Sequence, residues 1–337
     1  MITIDGSQGE GGGQVLRTSL AMSLVTQQAV HLVNLRAKRE KPGLRQQHLT
    51  ALRAAVAVGN AEVEGDHVAS SEVIFRPRTI VPGEHHFDIG TAGSTTLVLQ
   101  TVLPPLLTAC APSKIVLRGG THNILAPPYE FLAHSFLPAI ARMGARVRLR
   151  LDRPGFYPRG GGMVTMEIDP VDRLEPIDLL ERGDVLEVHA TAMVADLPAH
   201  IAERELATVQ SLLGWPGEAL RVEALKRRGP GNALSLQIVC EHVTAAFTGF
   251  GELGKPAETV ATEAAEACRR WLESGVPVEE HLADQLLIPM VLAGGGRFRT
   301  MPLTLHTTTN MRVLEQFTKV KFMARDLAEQ GVEVSVE

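Results

Sequence analysis

The run "RVRLRLDR", beginning at Arg146, alternates strictly: Val147, Leu149 and Leu151 share one side, while Arg146, Arg148 and Arg150 share the other. A period of two predicts a half-buried strand. With "MVTMEIDP" after the intervening glycines it forms a pair of strands. Elsewhere the period is helical. Apolar positions in "GQVLRTSLAMSLVT" predict a helix over 13–26, those in "LRQQHLTALRAAVAVG" one over 44–59, and those in "YEFLAHSFLPAIARMG" one over 129–144. Strands are expected at "AVHLVNLRA", around "AEVEGDHVASSEVIFRP" and at "KIVLRGG", and "GTAGSTTLVLQTVLPPLLTA" continues the same succession.

One theme, strand, amphipathic helix and alternating strands, therefore occurs twice before residue 170. A third copy is due near residue 183, where the register breaks. Residues 185–251, from "VLEVHATAMV" to "TAAFTGFG", themselves read as strand, helix, strand, strand, the pattern of an inserted small domain. Such an insertion costs little, because loop-closure entropy grows only logarithmically with length. The theme resumes through the helix "PAETVATEAAEACRRWLESG", then "HLADQLLIPMVLAGG", the strand "RFRTMPLTLH", a helix over 311–331 and the strand "VEVSVE". The expected fold is α/β (α+β): three repeats of a two-helix, four-stranded unit. Residues 1–181 and 278–337 form the large domain, and 182–277 the smaller inserted one.

Composition narrows the class. With 45% hydrophobic and 21% charged residues the chain is an ordinary globular protein rather than a disordered one. No apolar run reaches membrane-spanning length and no basic, hydrophobic leader opens the chain, so a cytoplasmic location is expected. Cys110, Cys240 and Cys268 are isolated and odd in number, which argues against a disulfide framework or a cysteine-ligated zinc and suggests buried apolar positions. A net charge of −5 argues against bulk electrostatic binding of nucleic acid but not against a local basic patch.

The candidate chemistry begins in "DGSQGEGGGQVLR", where Gly9, Gly11, Gly12 and Gly13 surround Glu10. Read alone, this is either a tight turn opening a helix or a loop whose free N–H groups meet phosphate oxygens while Glu10 ligates a divalent metal. Gln14 and Arg17 fall one turn apart on the helix that follows and would face the same anion. The basic run "RAKREKPGLRQQH" is either a solvated edge or, through the turn at Pro42–Gly43, a means of converging Arg36, Arg39, Gln47 and His48 on a polyphosphate or RNA end. "GFGELGKP" follows a phosphate-loop pattern up to Lys255 but has Pro256 where a hydroxyl is needed, and so reads as a helix entry. In "TMPLTLHTTTN" alternation places His306 at a strand end, before a helix capped by Thr309 or Asn310 and beginning near Met311. There it is either one more surface or core histidine or a group held against phosphate. "EALKRRGPGN" sets Lys226, Arg227 and Arg228 in a turn that reads as a solvated loop.

Taken together, "DGSQGEGGGQVLR", "RAKREKPGLRQQHLTA", "FDIGTAGSTTLVLQ", "GGTHN…APP", "FYPRGGG", "HLADQLLIPM" and "LHTTTN" resemble the RNA 3′-terminal phosphate cyclase family over essentially the whole chain. The resemblance implies the three-repeat fold with its insertion, shared with enolpyruvyl transferases. It implies a ligase-type nucleotidyl transferase that uses ATP and a divalent metal, Mg or Mn, to convert an RNA 3′-phosphate end into a 2′,3′-cyclic phosphodiester. It implies that His306 attacks the α-phosphate to give a histidyl-AMP, that AMP passes to the RNA phosphate, and that the 2′-hydroxyl displaces it. Carried over by position, Glu10 is the metal contact. Gln14, Arg17, Arg36, Arg39, Gln47 and His48 line the phosphate site, Asp284 and Gln285 lie by the nucleotide, and Pro127 forms one side of the adenine slot. The family commonly stacks a tyrosine on adenine just before "LADQ"; this chain has His281, whose imidazole offers less stacking area.

Two other readings carry different signatures. A non-catalytic RNA-binding relative acting in ribosome assembly would lack the histidine, and an enolpyruvyl transferase would turn over phosphoenolpyruvate without ATP. The RNA substrate and the oligomeric state stay open, and exposed strand edges would allow a homodimer.

Overall fold

In the computed structural model, which describes residues 1–226 and 229–337, the strands form four four-stranded sheets. The first unit runs β1 (Ile2–Asp5), α1 (Gly13–Thr26), β2 (Val30–Val33), α2 (Gln46–Gly59), β3 (Glu62–Glu64) and β4 (Val73–Arg76). β1 and β2 are parallel, β2 and β3 each pair antiparallel with β4, and the sheet order is β1-β2-β4-β3. The second unit begins with β5 (Gly83–Asp88), α3 (Thr95–Leu107) and β6 (Ser113–Gly119). A helix then follows as α4 (Tyr129–Phe131), a π turn (Leu132–Phe136) and α5 (Leu137–Ala141), before β7 (Arg146–Arg153) and β8 (Gly162–Asp169). Its order, β5-β6-β8-β7, repeats that of the first sheet, with the same parallel first pair.

β9 (Ile177–Leu179) opens a third sheet but is followed by a different one. β10 (Val185–Ala195), α6 (His200–Leu213), β11 (Leu220–Leu225), β12 (Gly231–Cys240), β13 (Thr244–Phe250) and α7 (Ala257–Ser274) build the sheet β11-β10-β12-β13. α7 packs on α6, β12 and β13, so the theme resumes one helix later than the periodicity suggests. It does so with α8 (Glu280–Ala293), β14 (Gly296–Thr300), α9 (Leu305–Phe317), β15 (Phe322–Asp326) and β16 (Val332–Val336). β14 pairs in parallel with β9, matching Phe298 to Leu179, and the order β9-β14-β16-β15 is again the first-second-fourth-third arrangement.

Three expectations change. The "TMPLTLH" strand ends at Thr300, and α9 begins at Leu305 under a Thr304 cap rather than near Met311. The same helix stops at Phe317, and the residues after Lys321 form the edge strand β15, paired antiparallel with β16. Cys110 is exposed, whereas Cys240 and Cys268 are buried and burial pushes the Cys268 thiol up to about 12.

The core explains the placement of the site. α1 packs against α2, α3 and α9, and Leu16, Leu20, Met22 and Leu24 are each at most 1% exposed. Enclosed on several sides, α1 buries polar residues too, among them Gln14, Thr18, Ser19 and Ser23. Buried polar groups need partners. Those of Gln14 and Thr18 come from α8 and α9. Among the described residues no helix is long and apolar enough to cross a membrane.

Candidate functional site

The glycine loop joins β1 to α1 and folds onto α9. Gly9 and Gly11 have φ of +57° and +63°, which an L side chain rarely adopts. A Cβ on Gly9 would overlap the Thr309 hydroxyl, whose oxygen accepts the Glu10 N–H at 3.0 Å. A Cβ on Gly13 would lie 2.5 Å from His48 Nε2 and 3.1 Å from Arg17 Nη1. These two glycines are therefore required first by close packing of α9 and α2 against the loop.

That packing draws the sequence candidates together. Arg39 pairs with Glu10 Oε1, while Glu10 Oε2 is buried without a hydrogen-bond partner. His48 Nδ1 accepts the Arg45 N–H at 3.1 Å, so the ring is neutral with its proton on Nε2, facing Gly13. Burial and the cations Arg36, Arg17 and Arg45 hold its pKa down to about 3. Arg17 makes no hydrogen bond or ion pair among the described residues. Burial lowers its pKa to about 10, against the pull of Asp284, so it stays charged at neutral pH.

Arg36 and Gln47 have other commitments. Arg36 Nη1 donates to the Lys41 and Gly43 carbonyls at 2.9 and 2.8 Å and so stitches its own loop. Gln47 Oε1 accepts the Ser94 N–H at 3.2 Å, at the start of α3. Both are part of the frame around His48.

A chain of side-chain hydrogen bonds runs through four helices to His306. Gln100 on α3 donates to Gln285 Oε1, and Gln285 Nε2 donates to Asp284 Oδ1 at 2.7 Å, both of the latter on α8. Asp284 Oδ2 accepts from Gln14 Nε2 on α1 at 2.7 Å. Gln14 Oε1 is left to face His306 Nδ1 on α9 at 3.2 Å. With its nitrogen committed to a carboxylate, Gln14 can only accept from the histidine. The proton therefore sits on Nδ1, and Nε2 keeps its lone pair. Burial lowers the His306 pKa although Asp284 opposes it, and burial raises that of Asp284. Asn310 holds the frame: it accepts from Thr18 at 2.7 Å and donates to the Asp284 carbonyl at 3.0 Å.

The remaining candidates lie around this chain. Pro127 gives its carbonyl to Thr96 at 2.7 Å, one turn of α3 before Gln100, so Pro127 and Gln285 stand on the same face of that helix. His281 lies in the first turn of α8, largely exposed, 3.9 Å from Glu280. A cavity of about 50 Å³ opens beside Gln14, Arg17, Gln100, Asp284 and Gln285. Gln100 and Thr18 were not among the sequence candidates, and Thr309, expected as a helix cap, instead accepts the Glu10 N–H while Thr304 caps α9. The one usable signal was Gln100, the single amide within the largely buried helix "TTLVLQTVLPPLL".

Among the described residues no group of three or more His, Cys, Asp or Glu is placed to hold a metal ion. Beside the glycine loop, Glu10 Oε2 is a buried carboxylate oxygen without a hydrogen-bond partner. This donor set fits a magnesium-like ion that takes one carboxylate from the protein and its other ligands from phosphate and water.

Fold and site define a mixed α/β protein in which a neutral, tautomer-fixed histidine stands beside an unpaired guanidinium and a glycine loop. The sequence profile of the RNA 3′-terminal phosphate cyclase family matches residues 8–324. An RNA 3′-terminal phosphate cyclase of Koribacter versatilis is 50% identical over 323 residues, 96% of this chain and 91% of that protein. Proteins of the same name from Ectopseudomonas mendocina and Ralstonia nicotianae are 46% and 49% identical, over 99% and 95% of this chain and 98% and 92% of theirs. The chain belongs to the RNA 3′-terminal phosphate cyclase family and is a ligase-type enzyme.

Proposed function

We propose that the protein converts an RNA 3′-phosphate into a 2′,3′-cyclic phosphodiester with ATP, through AMP carried covalently on His306. The observation that supports this most directly is the Gln14 contact, which keeps a proton on Nδ1 and directs the Nε2 lone pair outward. In the first step Nε2 bonds to the α-phosphorus, and the bond from that phosphorus to the pyrophosphate oxygen breaks. Nδ1 keeps its proton and donates it to Gln14 as charge builds on the ring. In the second, a 3′-phosphate oxygen of the RNA takes AMP, breaking the P–N bond. In the third, the 2′-hydroxyl oxygen bonds to the 3′-phosphorus, losing its proton, and AMP leaves.

Arg17 and Arg39 are positioned to meet charge that accumulates on phosphoryl oxygens at each transfer. The His48 Nε2–H adds a neutral donor. A divalent ion bound by Glu10 would supply further charge neutralisation at the phosphates. Pro127, Gln285 and His281 frame the adenine, and residues 182–277, with their own sheet, form the spliced-in domain.

Incubation with α-labelled ATP and Mg or Mn tests the reading. The expected result is an acid-labile, base-stable label on the protein that is lost in His306→Ala, together with cyclic phosphate formation from a 3′-phosphorylated oligoribonucleotide. Nucleotide binding with no label on the wild type overturns the covalent route and favours the non-catalytic RNA-binding reading.

A further inference from the structure

A second polar feature lies away from His306. The loop between β7 and β8 and the segment between β11 and β12 border a groove of about 690 Å³ lined by Arg153, Phe156, Arg159, Gly161, Lys226 and Pro230, among others. On a chain of net charge −5, its charged lining residues are all cationic. Arg153 Nε donates to the Gly161 carbonyl at 2.5 Å, and neither Arg159 nor Lys226 has an ion-pair partner among the described residues. Two other arginines of β7 differ: Arg148 pairs with Glu167 and Asp169, and Arg150 with Asp152. One acid stands at the back of the turn, where Asp196 accepts the Gly229 N–H at 2.7 Å. Arg227 and Arg228 lie outside the described residues.

The groove is a built crevice. Phe156 is buried at its floor, stacked on His122 with ring centroids 5.0 Å apart, and His122 Nε2 is 3.0 Å from Glu130. Phe156 also joins Met193, Ala195 and Ala233 in a small apolar cluster of its own, which fastens the loop to the β10–β12 face. Arg159 lies over the turn, since a Cβ on Gly229 would come 2.7 Å from its Cδ. Tyr157, next after Phe156 in the chain and outside the groove lining itself, is 77% exposed.

The groove and the phosphate site share a wall. A Cβ on Gly160 would lie 2.7 Å from Ala92 Cα, and one on Gly93 would lie 2.9 Å from Gln47 Cβ. The 91–93 loop thus has the groove on one side and the frame of His48 on the other.

We propose that this groove holds the RNA strand behind its reacting end, with backbone phosphates on Arg153, Arg159 and Lys226 and a base stacked on Tyr157. This inference rests on the RNA-end reading above. A cationic track beside an exposed aromatic ring is the arrangement that binds single strands without reading sequence. It would make the enzyme select for chain length, because a nucleoside 3′-phosphate reaches His306 but not the groove.

The test uses the full-length protein, with Arg159→Glu, Lys226→Glu, their double variant and Tyr157→Ala. A 5′-labelled oligoribonucleotide carrying a 3′-phosphate is titrated at several salt concentrations. The double variant should bind it about 10–100-fold more weakly, with the slope of log K against log salt shallower by about one per charge lost. Tyr157→Ala should weaken binding about tenfold with the slope unchanged. Labelling of His306 by ATP and turnover of a nucleoside 3′-phosphate should stay at wild-type levels. Unchanged affinity in the double variant, or no binding by the wild type, overturns the groove. A wild type that binds RNA, with the loss seen in the variants, but forms neither labelled histidine nor cyclic phosphate would overturn the reaction and leave the groove standing.

Discussion

Gln14 has one side-chain atom that donates and one that accepts, and both are committed: Nε2 to Asp284 and Oε1 to His306. Asp284→Asn removes the carboxylate that fixes this orientation. The amide can then turn, offer its nitrogen to the histidine and move the ring proton to Nε2, the atom the proposed reaction uses as nucleophile. Labelling of His306 by ATP should fall about 10²-fold or more in this variant, as expected for a wrong tautomer, and Gln14→Leu should fall similarly. The pH profile gives a second check. Burial holds the His306 pKa below its ordinary 6.5, so labelling should stay constant as pH falls through 6.5 and decline only below it. A midpoint at or above 6.5 would contradict the burial argument. A buried acid remote from this chain behaves in the opposite sense. Glu205 accepts from Asn232 at 3.0 Å, has one oxygen unpartnered, and burial raises its pKa from 4.5 to about 7. Between those values the folded chain keeps a proton that the unfolded chain releases, so stability falls as pH rises from 4.5 to about 7 and is then level. Glu205→Gln should therefore raise the melting temperature at pH 8 by about 2–4 °C and give no gain at pH 4.

At the level of elements, α9 shows where local pattern and packing part company. "TMPLTLH" alternates as a strand does, and Thr309 and Asn310 read as the caps of a helix starting near Met311. The structure selects Thr304, which accepts the Thr307 N–H at 3.1 Å and puts His306 in the first turn. Nothing local favours that choice, because it depends on burying Thr307, Thr309 and Asn310 against α1 and the glycine loop. Thr304→Ala should cost about 1 kcal/mol in denaturant unfolding and slow His306 labelling, while Thr304→Ser retains both. Where burial followed periodicity the elements were legible: α1 spans the expected 13–26, and β7 shows the expected alternation of exposure. The basic segment after β2 was legible in composition but not in geometry, since Arg39 meets Glu10 while Arg36 serves its own loop.

Across the whole molecule, three sheets share one strand order, and the fourth is enclosed by the third, whose β9 and β14 pair over the gap between them. Arg182 fastens the chain where it leaves β9: Nη1 donates to the Trp271 and Leu272 carbonyls at 3.2 and 2.9 Å, and the guanidinium lies 5.1 Å from the Trp271 ring centroid. Arg182→Ala should lower stability by about 1–2 kcal/mol while ATP still labels His306 at the wild-type rate. What no single segment could reveal is how its polar residues are shared. Gln100 and Gln285 are 185 positions apart, and His306 and Gln14 are 292 apart. A lone amide in an apolar helix has meaning only once its partner is beside it.

The hydrogen-bond chain from Gln100 to His306 draws on α3 of the second unit, α8 and α9 of the third and α1 of the first. An incompletely assembled protein would thus hold a histidine with no fixed tautomer. On the proposed route through His306, labelling by ATP requires all three units to be docked, so a partly folded copy should not be labelled.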